Sequence, residues 1–146
     1  MTTGASVASD QTAALPPVWP GLCGTDDAGP FLVGGRCAKC SYTTLEVRPI
    51  CPSCWAQGSM HPTPIGRRGR LYTYTVIHQL PAGYAESFAV GYVDLAEGIR
   101  VFAHIENTRE ALRIGRELEL TIAPLKRDDK GTNLHGPRYA EPRAAE

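Results

Sequence analysis

From Leu71 onward, apolar and polar positions alternate with a period of two. In LYTYTVIHQ, Tyr72, Tyr74, Val76 and His78 share one face while Leu71, Thr73, Thr75 and Ile77 share the other. SFAVGYVDL sets Phe88, Val90 and Tyr92 against Ala89, Gly91, Val93 and Leu95, and GIRVFAHIE sets Ile99, Val101, Ala103 and Ile105 against Arg100, Phe102, His104 and Glu106. Alternation of this kind, rich in β-branched and aromatic residues, predicts half-buried strands. Asp94 to Gly98 is short enough to join the last two as a hairpin. ELELTIAPL predicts a fourth strand burying Leu118, Leu120 and Ile122, and GPRYAEP a short final one. NTREALRIG reads as one or two helical turns, capped by Asn107 or Thr108 and stopped by Gly115. Lys126 to His135 reads as a polar loop. Short strands in this number, with Gly91 at a bend, predict a small closed barrel.

The first 30 residues carry no such period. They are rich in Ala, Thr, Ser, Pro and Gly, with Trp19 the large apolar side chain through which a flexible segment would dock. No run of about 18 apolar residues is present, and the first 20 residues lack the basic start and apolar core of a signal peptide.

Between the tail and the barrel lies RCAKCSYTTLEVRPICPSC, which holds four of the five cysteines as two C-x-x-C units ten residues apart. Two residues between cysteines let a tight turn aim both thiolates at one point, and the hairpin between Cys40 and Cys51 returns the second pair. A redox C-x-x-C normally occurs once, at the start of a helix, and neither unit opens a helical pattern. Cys37, Cys40, Cys51 and Cys54 are therefore read as the ligands of one structural zinc, with the coordination sphere filled. Cys23 stands apart, as an idle or exposed thiol. Thiols used as metal ligands fit a reducing compartment, so a cytoplasmic location is expected.

The expected architecture is mainly β: an N-terminal tail or helix within a flexible segment 1–30, a zinc ribbon over 31–66, an OB-fold barrel over 67–140 and a tail over 141–146. The formal net charge of zero hides an asymmetry. From Arg36 to Arg70 there are six bases against one acid, Glu46, while the rest of the chain has an acidic excess. Four thiolates with Zn²⁺ temper the local excess, and a balanced total argues against broad, salt-driven nucleic-acid binding.

The stretches GRRGRLYTYTVIH, FAVGYVDLAEGIR and ALRIGRELEL, following a four-cysteine ribbon, resemble the zinc-ribbon OB-fold family associated with acyl-CoA metabolism, over roughly residues 31 to 125. The chain departs from the family pattern in having Ser41 and Trp55 where glycine commonly follows each C-x-x-C, and LEVR between the pairs. The resemblance implies a non-catalytic subunit in a hetero-oligomer. Its partners would be thiolase-fold enzymes, as for the small subunit of benzoylsuccinyl-CoA thiolase, or in other cases acyl-CoA hydratases or retro-aldolases.

An autonomous enzyme needs a nucleophile, a base and a dry pocket. His61, His78, His104 and His135 are scattered, with no acidic partner at motif spacing, so no catalytic residue is expected in this chain. A single-stranded nucleic-acid binder remains as an alternative, since Tyr72, Tyr74, Tyr92 and Phe102 offer stacking faces. The bases, however, sit at the ribbon and its junction. Arg67, Arg68 and Arg70 are instead the expected contacts to a coenzyme A phosphate or to the partner, because a guanidinium fork suits phosphate. No membrane partner is expected.

Overall fold

The computed structural model describes residues 16–142. Nine strands account for its regular structure, and no helix occurs among the described residues. The first unit is a four-stranded antiparallel sheet built on β2 (Gly29–Cys37). Strands β1 (Cys23–Asp26) and β3 (Thr43–Leu45) pair successively along one edge of β2, and β4 (Met60–Ile65) pairs along the other. The second unit is a closed barrel in the order β5 (Arg68–Ile77), β6 (Phe88–Leu95), β7 (Arg100–Ile105), β9 (Asn133–Ala140), β8 (Glu117–Arg127). All barrel pairs are antiparallel except β7 with β9.

The two units share one core. Leu32 of β2 and Ile65 of β4 cluster with Leu71, Val93, Val101, Ile105, Leu118 and Tyr139 of the barrel. Full burial of each such aliphatic side chain contributes about 1.5–3 kcal/mol, so the ribbon sheet is anchored by the same force that closes the barrel. A smaller cluster of Cys37, Cys51 and Met60 lies at the far end of the sheet.

Strand β5 keeps its expected period only as far as Tyr72. Leu71 pairs with Val93 but Thr73 pairs with Tyr92, so Tyr72 is the extra residue of a β-bulge. Beyond it the faces exchange: Tyr74 lies opposite Gly91, and Val76 packs against the core. The expected common face of Tyr72, Tyr74, Val76 and His78 is corrected accordingly. Gly91 permits the close approach, because a Cβ there would meet the Thr73 carbonyl oxygen and the Tyr74 backbone.

Several expectations are revised. The flexible segment expected over 1–30 does not extend through its second half. Cys23–Asp26 is a strand, β2 starts at Gly29, and Pro17 forms a parallel bridge with His135. Residues 1–15, and with them the expected N-terminal tail or helix, lie outside the described residues, as do residues 143–146 of the expected tail. The polar loop 126–135 shrinks to the five residues between β8 and β9, because Lys126 and Arg127 pair with Leu134 and Asn133. In NTREALRIG a single turn forms: Leu112 N–H donates to the Thr108 carbonyl, and the Thr108 hydroxyl oxygen caps it by accepting from Ala111 N–H. Along β8, Leu118 and Leu120 are buried as expected, but Ile122 is only half-buried and Ala123 takes the enclosed position.

Candidate metal centre and ribbon–barrel junction

Two tight hairpins carry the four cysteines. Cys37 ends β2, and its N–H and C=O bond Tyr42 C=O and Ser41 N–H. Cys51 repeats the pattern with Ala56 C=O and Trp55 N–H. Each turn closes through a residue with positive φ, +67° at Ser41 and +66° at Trp55. Glycine adopts this conformation freely, whereas side chains pay about 1–2 kcal/mol for it. Both residues accept the strain because the C-x-x-C turn requires the conformation whatever side chain is present.

The turns aim backbone donors at sulfur. Cys37 Sγ accepts from the N–H of Lys39 at 3.3 Å and of Cys40 at 3.5 Å, and Cys51 Sγ accepts from Ser53 N–H at 3.4 Å. The Ser59 hydroxyl lies 3.2 Å from Cys37 Sγ. This hydroxyl, followed by the Cys40 N–H, pulls the Cys37 thiol down to about 6. The Cys54 N–H is the main cause of the lowered value at Cys51. Cys54 is favoured as thiolate by the Ala56 N–H, yet burial and three neighbouring sulfurs push it up to about 11. Four thiolates this close oppose one another's ionisation, and a divalent cation at their centre removes that opposition.

The geometry fits such an ion. The four Sγ atoms all lie within 4.8 Å of one another, with Cys37 to Cys54 at 3.7 Å and Cys40 to Cys51 at 3.5 Å. Zn–S bonds of about 2.3 Å in a tetrahedron require sulfur separations of ~3.8 Å. The cluster is suited to one structural zinc, and four protein ligands leave no position for a reacting water. Cys23 is not part of it: half-buried beside the shared core, its thiol is pushed up to about 11 by burial. Ser59 was not legible in advance, since nothing in GSM marks a serine that faces sulfur.

The junction arginines separate into three situations. Arg67 donates to Asp26 Oδ2 at 2.6 Å and to the Gly29 carbonyl at 2.9 Å, and lies 5.2 Å from the Phe31 ring centroid. Arg68 pairs with Glu117 at 3.2 Å and Glu119 at 3.6 Å. Arg70 is exposed and has no ion pair among the described residues. The four histidines are not assembled into a catalytic group, and among the described residues no histidine side chain hydrogen-bonds a carboxylate, serine or cysteine. His104 is instead enclosed by aromatic rings, 5.2 Å from Phe88 and 6.3 Å from Trp19, and burial, then the Arg138 charge, lowers its pKa. An apolar cleft of 760 Å³ lies between ribbon and barrel, walled by Trp19, Leu45, Val47, Phe102 and Pro137. Among the described residues no helix is long and apolar enough to cross a membrane.

Comparison with known proteins agrees with this arrangement. The family model for the C-terminal OB-fold domain of ChsH2 matches residues 62–123. The benzoylsuccinyl-CoA thiolase subunit BbsA of Thauera aromatica is 34% identical over 109 residues, covering 75% of each chain. BbsA of Geobacter metallireducens is 35% identical over 101 residues, covering 69% of this chain and 68% of that protein. A DUF35 domain-containing scaffold protein of Methanocaldococcus jannaschii is 28% identical over 112 residues, 74% of this chain and 79% of that one. Among solved structures, the Ltp2-ChsH2(DUF35) aldolase superposes with a TM-score of 0.60 at 26% identity, covering 76% of this chain and 84% of that one. A four-cysteine ribbon packed on a closed barrel, with these relatives, makes this chain a member of the zinc-ribbon/OB-fold family that contains ChsH2/DUF35 proteins and the BbsA-type thiolase auxiliary subunits.

Proposed function

We propose that this chain is a non-catalytic subunit that binds one zinc ion and assembles with a thiolase-fold enzyme to support turnover of a CoA thioester in the cytoplasm. The observation that carries the reading is identity of 34% over three quarters of the chain to a protein named as a subunit of a CoA-thioester thiolase. The site chemistry supports it, because the four sulfurs are placed to fill one metal's coordination sphere and, among the described residues, no nucleophile and base are brought together. A CoA phosphate or the partner is the proposed contact of Arg67, Arg68 and Arg70, with Arg70 the least committed to internal ion pairs. The likeness to an aldolase complex favours a retro-aldolase as the second choice of partner. The test is co-expression with tagged thiolase-fold and aldolase subunits from the same genome, followed by the mass and acyl-CoA turnover of whatever complex forms. The expected result is a stable complex with a thiolase-fold subunit and no turnover by this chain alone. Turnover by the isolated chain, or failure to assemble with any such subunit, overturns the reading.

A further inference from the structure

The outer face of β5, β6 and β7 carries a row of side chains that the fold itself leaves open. Across the three strands the register aligns Arg70, Asp94 and Arg100 in one rung, and Thr73, Tyr92 and Phe102 in the next. The bulge adds Tyr72 between the rungs. Phe102 is 62% exposed, Tyr72 50% and Tyr92 44%. Cross-strand aromatics normally bury area against something, and three together on one open sheet face are a costly way to meet water.

These side chains are also held in place. Tyr92 and Phe102 meet edge to face at 5.3 Å. The Arg100 guanidinium stacks 3.5 Å from the Tyr72 ring centroid while bonding both oxygens of Asp94. Arg100 therefore spends its charge internally and fixes Tyr72, so little side-chain freedom is lost when the face is covered. Arg70 lies at the same end, exposed and without an ion pair among the described residues. At the opposite end, Phe102 borders the apolar cleft beside Trp19. Tyrosine, phenylalanine and arginine fixed around an apolar centre have the composition of an interface hot spot.

Charge narrows the choice of occupant. The row continues to Glu117 of β8, which lies in register with Arg70, so two acids balance Arg70 and Arg100 and leave no formal excess of positive charge with which to track a phosphodiester strand, whose binding scales with the number of phosphates neutralised. Similarity to a protein named as a thiolase subunit favours an enzyme subunit over a second copy of this chain. What fits is a protein surface with an apolar hollow for Phe102 and Tyr92 and charges that complement the alternating row of Glu117, Arg70, Asp94 and Arg100.

We infer that the face formed by Arg70, Tyr72, Tyr92, Arg100 and Phe102 is where the enzyme subunit docks on this chain, through an apolar hollow flanked by charges complementary to that row. This rests on the assembly proposed above and specifies the surface that makes it. The experiment measures binding of the purified thiolase-fold subunit to wild type, to Tyr92→Ala/Phe102→Ala and to Tyr72→Ala, with zinc content and Tm recorded for each. Hydroxyl-radical labelling of Tyr72, Tyr92 and Phe102 in wild type, free and bound, gives a readout independent of the variants. The expected result is a loss of at least about ten-fold in affinity for the double variant at unchanged zinc content and Tm, together with protection of the three rings in the complex. If wild type binds the enzyme but the variants bind equally well and the rings stay reactive, the docking face is wrong while the assembly stands. If wild type binds no thiolase-fold subunit, both readings fall. Oligonucleotide binding or self-association that is lost in the double variant assigns the face to that occupant instead and overturns the inference.

Discussion

The Tyr139 hydroxyl, on the strand that closes the barrel, donates a buried hydrogen bond of 2.6 Å to the carbonyl of Gly66, the residue that follows the ribbon sheet. Tyr139 is wholly enclosed, and burial holds its phenol well above the usual range, so the group stays protonated and remains a donor. Gly66 has φ +76°, and a Cβ there would lie 2.8 Å from the same hydroxyl oxygen. One contact thus sets both the direction in which the chain leaves the ribbon and the seating of the final strand.

Tyr139→Phe is expected to cost about 1–3 kcal/mol, because it leaves a buried carbonyl unpaired. Gly66→Ala should cost about 2–4 kcal/mol, adding the strain of a left-handed alanine to the clash with Tyr139. Denaturant midpoints at unchanged slope check both values, and the order Gly66→Ala worse than Tyr139→Phe is the specific expectation.

Purified protein is expected to hold one zinc per chain by elemental analysis. Cys51→Ser should abolish that stoichiometry and open the ribbon locally, since Cys51 is fully buried and metal binding is coupled to folding. Hydrogen exchange should show the loss concentrated in residues 37–60, with barrel strands β6 and β7 still protected. Exchange that spreads equally through the barrel would instead show that the metal holds both units.

The pairing of Asp26 with Arg67 predicts a pH dependence of defined sign. The guanidinium holds the Asp26 carboxyl below its ordinary value. A carboxyl depressed in the folded state stabilises it fully above the unfolded pKa of about 4, and that contribution disappears as pH falls through the folded pKa. Wild type should therefore lose Tm more steeply than Asp26→Asn between about pH 5 and pH 2, with the two curves converging at the acid end.

Arg67→Ala and Arg70→Ala should behave oppositely. Removing Arg67 breaks the tie to Asp26 and Gly29 and should lower Tm. Removing Arg70 should leave Tm unchanged and weaken assembly about three- to five-fold, the scale of about 1 kcal/mol for an exposed ion pair. A raised KM for the acyl-CoA in the fully assembled complex would assign Arg70 to a CoA phosphate instead.

The four barrel strands with period-two alternation were legible, as was the convergence of Cys37, Cys40, Cys51 and Cys54 into one cluster, because C-x-x-C repeated at hairpin spacing leaves few other geometries. The bulge at Tyr72 was not, since an inserted residue exchanges the faces of a strand without altering its composition. Strand β1 escaped notice because CGTD has no apolar alternation; it is a strand only because β2 offers it an unpaired edge. The start of β9 was hidden likewise, in the polar NLHG that β8 pairs with. The partner of Arg67 lies 41 residues away in sequence, a relationship that spacing does not encode.

The order of strands also has a consequence for how the molecule is made. Every residue of the four-cysteine cluster and its sheet is synthesised by Ile65, so the four cysteines can come together while the barrel is still emerging from the ribosome. The barrel closes later. Strand β9 fills the gap between β7 and β8 and arrives last. Until it does, those two strands present bare hydrogen-bonding edges, the form in which β proteins aggregate. A nascent chain stalled before residue 133 would therefore carry its cysteine cluster on an open, adhesive sheet, making completion of the last strand the step at which chaperone protection matters most.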